Sequence, residues 1–324
     1  MKLVSFIIPH YRTWRWTAIC IWHLKQFGIP VDQEIILVDN SPGHPSIQAI
    51  AETSLGEGIK IVSGDSGFTS HGMAYDIGFD YTKGDHIFTC ETDSFPFRSG
   101  WFDEYVKLSA EYDLIGPEIP QSSGTYIHPA GALYSRKLVN AAVAWQRSHT
   151  EWTFCPGAAI ELGTSDKPYH VVAHQDFLDG KEYDPPAVDL WRRAGPWQEM
   201  RCFDDDTWEN YPQRKGIVNL EPISDEWHNK IGFEAGQWLA YFAAKIGFKI
   251  FKAPVEMHWM SGHEGRQAAY SDVFGGFRHE WGGTVCEVST SDMDSGVVAL
   301  KRQHENEWWL KLPESLRSEI DAMR

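Results

Sequence analysis

His86-Ile87-Phe88-Thr89-Cys90-Glu91-Thr92-Asp93-Ser94-Phe95-Pro96 is an apolar, strand-like run that empties into two carboxylates one residue apart. Ser94 and Pro96 close it, and proline cannot continue a central strand. Carboxylates at i and i+2 just past a strand end point the same way. In an open α/β sheet the carboxyl ends of the strands are where ligands bind. Two hard oxygen ligands placed there suit Mg²⁺ or Mn²⁺ carrying a substrate's phosphates. A polar turn after a buried strand would look the same, so the neighbouring sequence has to decide.

Outward from this stretch, strand and helix patterns alternate. Leu3 to Ile8 is a continuous apolar run of the kind buried on both sheet faces. Thr13 to Phe27 spaces Trp16, Ile19, Trp22, His23 and Phe27 as a helix does, and stops at Gly28 and Pro30. Glu34 to Val38 reads as a second strand that breaks into Asp39-Asn40-Ser41-Pro42-Gly43, Pro45 to Ser54 as a short helix and Ile59 to Val62 as a third strand. Gly72 to Tyr81 is helical, and Lys83-Gly84-Asp85 turns the chain into the strand Ile87 to Cys90. This alternation predicts βαβ units and an α/β fold with a mainly parallel central sheet.

Beyond residue 96 the spacing predicts a helix over Gly100–Tyr112, a strand at Leu114–Pro117, a strand pair within Thr125–Tyr134 and a helix over Ser135–Arg147. Residues 148–230 are rich in Trp, Pro, Asp and Gly with weak periodicity, and are too long for a plain loop, so short elements forming a binding lobe are expected. A helix over Phe233–Ile246 and a strand at Phe248–Phe251 follow. Residues 265–295 are Gly- and Ser-rich, and Val297–Leu310 and Pro313–Met323 read as two amphipathic helices.

The composition sets limits. Of 324 residues, 42% are hydrophobic and 23% charged, an ordinary globular balance, and no apolar run is long enough to span a bilayer. The formal net charge of −16 disfavours a broad grip on nucleic acid or anionic membrane. Small basic clusters (Arg12 with Arg15, Arg192 with Arg193, Arg214 with Lys215) leave room for a local phosphate contact. Five scattered cysteines without Cys-x-x-Cys spacing point to reduced thiols and a cytoplasmic protein, with neither disulfide framework nor zinc site. Met1 to His10 lacks the length and cleavage site of a signal peptide. Fifteen tryptophans supply core mass and rings able to stack on sugars or bases.

In order and spacing these pieces resemble the family 2 glycosyltransferases, whose fold is a single nucleotide-sugar domain of the A type. Ser5-Phe6-Ile7-Ile8-Pro9-His10-Tyr11-Arg12 is similar to the family's opening strand and Pro-x-Tyr-Asn loop, with Arg12 in place of Asn. Glu34 to Ser41 resembles its second strand, ending in an Asp that reads the nucleobase. Gly72-Met73-Ala74-Tyr75-Asp76-Ile77-Gly78 matches its Ala-x-Asn-x-Gly helix with Asp76 for Asn, and Glu91-Thr92-Asp93 stands where the family has Asp-x-Asp. Gly131 to Arg136 resembles the acceptor-side Gly-x-x-x-x-Arg strand. The match is ordered over residues 1–96, thinner over 125–265 and absent from the tail. The dinucleotide Gly-x-Gly-x-x-Gly fingerprint and the Gly-x-x-x-x-Gly-Lys-Ser/Thr loop are both missing.

The resemblance implies a domain over 1–265, with a nucleotide-sugar half (1–96) and an acceptor-side half (97–265), followed by a loop and helical extension over 266–324. It implies transfer of a sugar from a nucleoside-diphosphate sugar, UDP-sugar favoured, to a carbohydrate or other hydroxyl-bearing acceptor, inverting and dependent on Mn²⁺ or Mg²⁺. Asp93 and Glu91 would bind the metal, with a late histidine, His258 or His263, as third ligand. Asp39 would read the base, Pro9, Tyr11 and Arg12 would line the base and ribose, and Asp76 would belong to the same pocket. Glu234 is the nearest match for the catalytic base, with Asp204-Asp205-Asp206 and Asp225-Glu226 as rivals. Two other readings stay open: a non-catalytic carbohydrate- or nucleotide-binding module of the same fold, and a transferase acting on modified DNA bases.

Overall fold

Period-two alternation sorts the strands' side chains into two cores, and these cores sandwich the sheet. The computed structural model describes residues 1–41, 44–63, 71–121, 124–148, 200–202, 231–233, 247–259, 269–280 and 295–323, with positions 236, 239, 240, 243 and 244. The nucleotide-side half runs β1 (Leu3–His10), α1 (Trp14–Phe27), β2 (Asp32–Asp39), α2 (Gln48–Ala51), β3 (Ile59–Ser63), α3 (His71–Asp80), β4 (His86–Thr89) and β5 (Ser94–Pro96). Next come α4 (Asp103–Leu108), β6 (Leu114–Gln121), β7 (Gly124–Ile127), β8 (Ala132–Ser135), α5 (Arg136–Ser148), β9 (Met200–Cys202) and β10 (Ile231–Phe233). The chain ends with β11 (Ile250–Ala253), β12 (Val255–Trp259), β13 (Ala269–Val273), β14 (Phe277–His279), α6 (Ser295–Trp309) and α7 (Glu314–Ala322).

The main sheet has the order β11-β6-β8-β4-β1-β2-β3, with β7 paired to β6. β1 is parallel to both β2 and β4, β2 to β3 and β11 to β6, whereas β8 is antiparallel to β4 and β6. The expected α/β fold with a mainly parallel sheet is therefore present. On β1, Val4, Phe6 and Ile8 enter one core with α1, while Ile7 enters the other with α3. On β2, Ile35 and Leu37 face the first core, and Ile36 and Val38 the second. α3 lies so close to the sheet that a Cβ at Gly78 would overlap the Ile7 side chain and stand 2.9 Å from Val38 Cγ2.

A second sheet, β12-β13-β14-β5, is antiparallel throughout. β13 and β14 fall within the region assigned from sequence to a C-terminal extension, yet they pair with β12 and with β5. The two amphipathic tail helices are present as α6 and α7, and Trp308, Trp309, Leu312, Leu316 and Ile320 join the α1-side core. Lys301 of α6, 0% exposed, donates from Nζ to the carbonyls of Ala269 (2.7 Å) and Glu280 (2.8 Å), clamping the start of β13 to the end of β14. Among the described residues no helix is long and apolar enough to cross a membrane.

His23 of α1 donates from Nδ1 to Pro96 O at 2.7 Å within a cage of Trp22, Phe27, Phe95 and Trp308. Burial lowers its pKa to about 4, the Pro96 hydrogen bond opposes the shift and the Lys311 charge adds to it. The unfolded chain therefore takes up a proton between pH 6.5 and about 4 that the folded chain refuses, and stability falls as pH drops through that window. The loss amounts to on the order of 3 kcal/mol at full protonation. His23→Asn keeps a donor for Pro96 and gives a shallower fall in melting temperature between pH 7 and 4.5 than wild type shows. Gly78→Ala, by crowding Ile7 and Val38, costs about 1–3 kcal/mol in urea unfolding.

Candidate active site

The carboxyl ends of β1, β2 and β4 meet along one edge of the main sheet, and β1 lies between the other two. β4 leads into Cys90, whose N–H donates to Ile7 O (3.0 Å). The chain then turns: Ser94 Oγ accepts from Glu91 N (2.7 Å) and donates to Glu91 O (2.9 Å), while Ser94 N also donates to Glu91 O (3.0 Å). That turn starts β5, which pairs with β14 so that Ser94 stands opposite His279. Glu280 N donates to Asp93 O at 2.9 Å and ties the two strand ends again.

This ladder carries His279 to the two carboxylates. Its Nε2 is 3.1 Å from Glu91 Oε2 and 3.7 Å from Asp93 Oδ1, and Asp93 is only 3% exposed. Two more imidazoles face the other oxygen of Glu91: His71 Nδ1, from the first residue of α3, at 3.9 Å, and His128 Nε2, from the β7–β8 loop, at 3.8 Å. Burial alone would raise the Glu91 pKa, but His279, then His71 and His128, hold its carboxyl well below the usual range. Burial would likewise strip the proton from His279, but Glu91 and Asp93 outweigh it and raise its pKa, against the charge of Lys301.

Glu91, Asp93 and His279 form the one group of three potential ligands found among the described residues, with donor atoms all within 4.8 Å of one another. Two anionic oxygens and one imidazole, with Asp93 and His279 buried and Glu91 partly exposed, have the chemistry of a divalent-cation site.

The other sequence-derived residues divide into three groups. Pro9, Tyr11, Arg12 and Asp39 come together where β1 and β2 end. Asp39, 6% exposed, accepts through Oδ1 from Ser41 N (3.0 Å) and Ser41 Oγ (3.3 Å), the local turn that an Asp at a strand end makes. Arg12 takes a left-handed backbone (φ 59°) and donates from N to Ser41 Oγ (3.3 Å), with its guanidinium 5.2 Å from the centre of the Tyr11 ring. Asp76 is buried on α3. His258 lies two strands away from His279 in the second sheet, with Nε2 3.3 Å from Asp272 Oδ2 and its ring stacked on Tyr270. His279, not His258, is the histidine brought to Glu91 and Asp93. Glu234, His263, Asp204 to Asp206, Asp225 and Glu226 lie outside the described residues.

His71, His128 and His279 were not singled out from sequence. Each is isolated in the chain, and only strand order brings them to one carboxylate. The signal available for His279 was alternation, which puts it on the face of the apolar Phe277.

Comparison with known proteins supports the resemblance in the region that builds this edge. Residues 5–139 match the model of Glycosyl transferase family 2. Among solved structures, S. aureus TarS 1-349 is 13% identical with a TM-score of 0.37, over 44% of this chain and 49% of that one. The same protein in complex with UDP is 15% identical at a TM-score of 0.37, over 44% and 48%, and in complex with UDP-GlcNAc 13% identical at 0.36, over 44% and 47%. The chain thus spans about half the length of the structures it matches. A search of curated protein sequences finds no match.

The geometry predicts that Mn²⁺ at about 100 times its dissociation constant adds about 2.7 kcal/mol to folding stability. Thermal denaturation with Mn²⁺ and with a chelator checks this; the gain is present in wild type and absent in His279→Ala.

Proposed function

We propose that this protein is a glycosyltransferase that moves a sugar from a nucleoside-diphosphate sugar, with UDP-sugars the first donors to test, to a hydroxyl of a carbohydrate or other acceptor. The observation that carries the reading is the convergence of Glu91, Asp93 and His279 at the carboxyl end of β4, on the edge where β2 presents Asp39. Two strand spacings separate β2 from β4, about 10 Å, a span suited to a nucleoside at one end and its diphosphate at the other. The matched family region, residues 5–139, contains Glu91, Asp93 and Asp39.

Asp93, Glu91 and His279 would hold Mn²⁺ or Mg²⁺; the imidazole in the set favours Mn²⁺. When bound, the ion stabilises the charge that grows on the departing diphosphate, as a Lewis acid and as a template. Asp39, its orientation fixed by Ser41, accepts from a nucleobase N–H. Pro9 and Tyr11 line the base and ribose, Asp76 sits behind them on α3, and the Arg12 guanidinium reaches toward phosphate oxygen with charge that an Asn could not supply. Burial of Asp93 and His279 keeps water from competing for the ligand oxygens. We assign the base that takes the acceptor proton to Glu234 on its place in the sequence, which gives inversion at the sugar carbon. Cys20 and Cys90, free and buried, suit a reducing compartment such as the cytoplasm.

Calorimetry with a panel of nucleoside diphosphates, with and without Mn²⁺, tests the reading. Wild type is expected to bind one nucleotide in a Mn²⁺-dependent way, and Asp93→Ala to lose that binding by at least about 100-fold, more than 2.7 kcal/mol. Failure of every nucleotide to bind wild type overturns the proposal.

A further inference from the structure

The longer acid at position 91 raises a question that the surrounding histidines answer. Glu91 stands where the family pattern has Asp, and the added methylene gives the carboxylate one more torsion to fix before it can serve as a ligand. In this chain its two oxygens face different groups. Oε2 is 3.1 Å from His279 Nε2, on the side of Asp93. Oε1 faces His71 Nδ1 at 3.9 Å and His128 Nε2 at 3.8 Å.

The β7–β8 loop fixes the tautomer of His128, whose Nε2 faces Glu91 Oε1 at 3.8 Å, beyond direct hydrogen-bond length. Ala130 N donates to His128 Nδ1 at 3.1 Å, so the neutral ring carries its proton on Nε2, the atom turned toward Glu91. The loop itself is held fast. His128 N donates to Pro117 O (2.9 Å), Gly131 N to Thr89 O (2.9 Å), Thr89 Oγ1 to Pro129 O (2.5 Å) and Tyr105 OH to Gly131 O (2.6 Å). His71 is steadied by its ring contact with Tyr75, 4.8 Å between centroids, and Tyr75 is anchored through its hydroxyl to Cys90 O at 2.8 Å.

We infer that His128 and His71 are positioning residues of the cation site, holding Oε1 of Glu91 from two different elements so that Oε2 is presented beside Asp93 and His279. The inference rests on the metal-binding reading above. It makes the Glu at position 91 workable where a shorter acid would otherwise be needed. Outer partners of this kind change metal affinity by about 10–100-fold when removed.

The test is a Mn²⁺ titration, by calorimetry and by electron paramagnetic resonance, of wild type, His128→Phe, His71→Phe and His128→Gln, with melting temperatures taken without metal. Each Phe variant is expected to bind Mn²⁺ about 10–100-fold more weakly. His128→Gln returns an amide N–H near the place of Nε2 and is expected to bind closer to wild type than His128→Phe does. Unchanged Mn²⁺ affinity in both Phe variants overturns the inference. So does an equal loss in His128→Phe and His128→Gln accompanied by equal loss of melting temperature, which is packing rather than positioning. Absence of Mn²⁺ binding by wild type is a separate result: it removes the metal-binding reading, and this inference with it.

Discussion

The architecture of the site depends on a three-residue ladder. Ser94 to Pro96 pairs antiparallel with Phe277 to His279, joining the turn that leaves the main sheet to a strand that arrives more than 180 residues later. Remove that pairing and Glu91 and Asp93 keep their place at the end of β4, but the imidazole that completes the set has no reason to be there. The ladder is short, so its neighbours hold it. Phe277 is buried in the main core against Phe88 and Trp101, Glu280 N closes onto Asp93 O, and α6 clamps the same ends of β13 and β14, beside Asp93, through Lys301. The C-terminal helices thus belong to the site although none of their side chains lines it.

Gathering like charges in a buried place costs free energy, and the fold meets that cost by alternating signs. Glu91 faces three imidazoles, Asp272 receives a two-pronged contact from Arg278 at 2.8 and 2.9 Å, and Glu280 accepts from His304 at 2.6 Å. Desolvation makes any one of these acids expensive alone and tolerable when paired. This face of the second sheet is consequently polar and only partly covered, with Arg278 4.1 Å from the centre of the Tyr270 ring and the His258 ring stacked on Tyr270. Such a face does not resemble a core in sequence.

That contrast explains what was legible beforehand. β1, β2 and β4 are buried on both faces, so contiguous runs such as Phe6-Ile7-Ile8 and Ile35-Ile36-Leu37-Val38 declared them, and Gly28 marked a helix end. The carboxylates at 91 and 93 were readable because strand-end chemistry is local. The second sheet was not readable, because Glu256, His258, Asp272 and Arg278 carry ion pairs rather than apolar side chains, and β5 is three residues long. The boundary expected at 265 falls between β12 and β13, two strands that pair with each other. His258 drew attention through its near neighbour His263, whereas His279 stands alone in sequence and is recruited by register.

The distance along the chain between Glu91 and His279 has a consequence in the order of events during synthesis. The two residues are 188 positions apart. At about 5–20 residues per second a ribosome needs roughly 10–40 s to pass from one to the other. During that interval β1 to β4 can form while their acidic edge lacks its third partner. The Lys301 clamp comes later still, so in the nascent protein Glu91 and Asp93 wait for their imidazole until β14 and α6 have been made and docked.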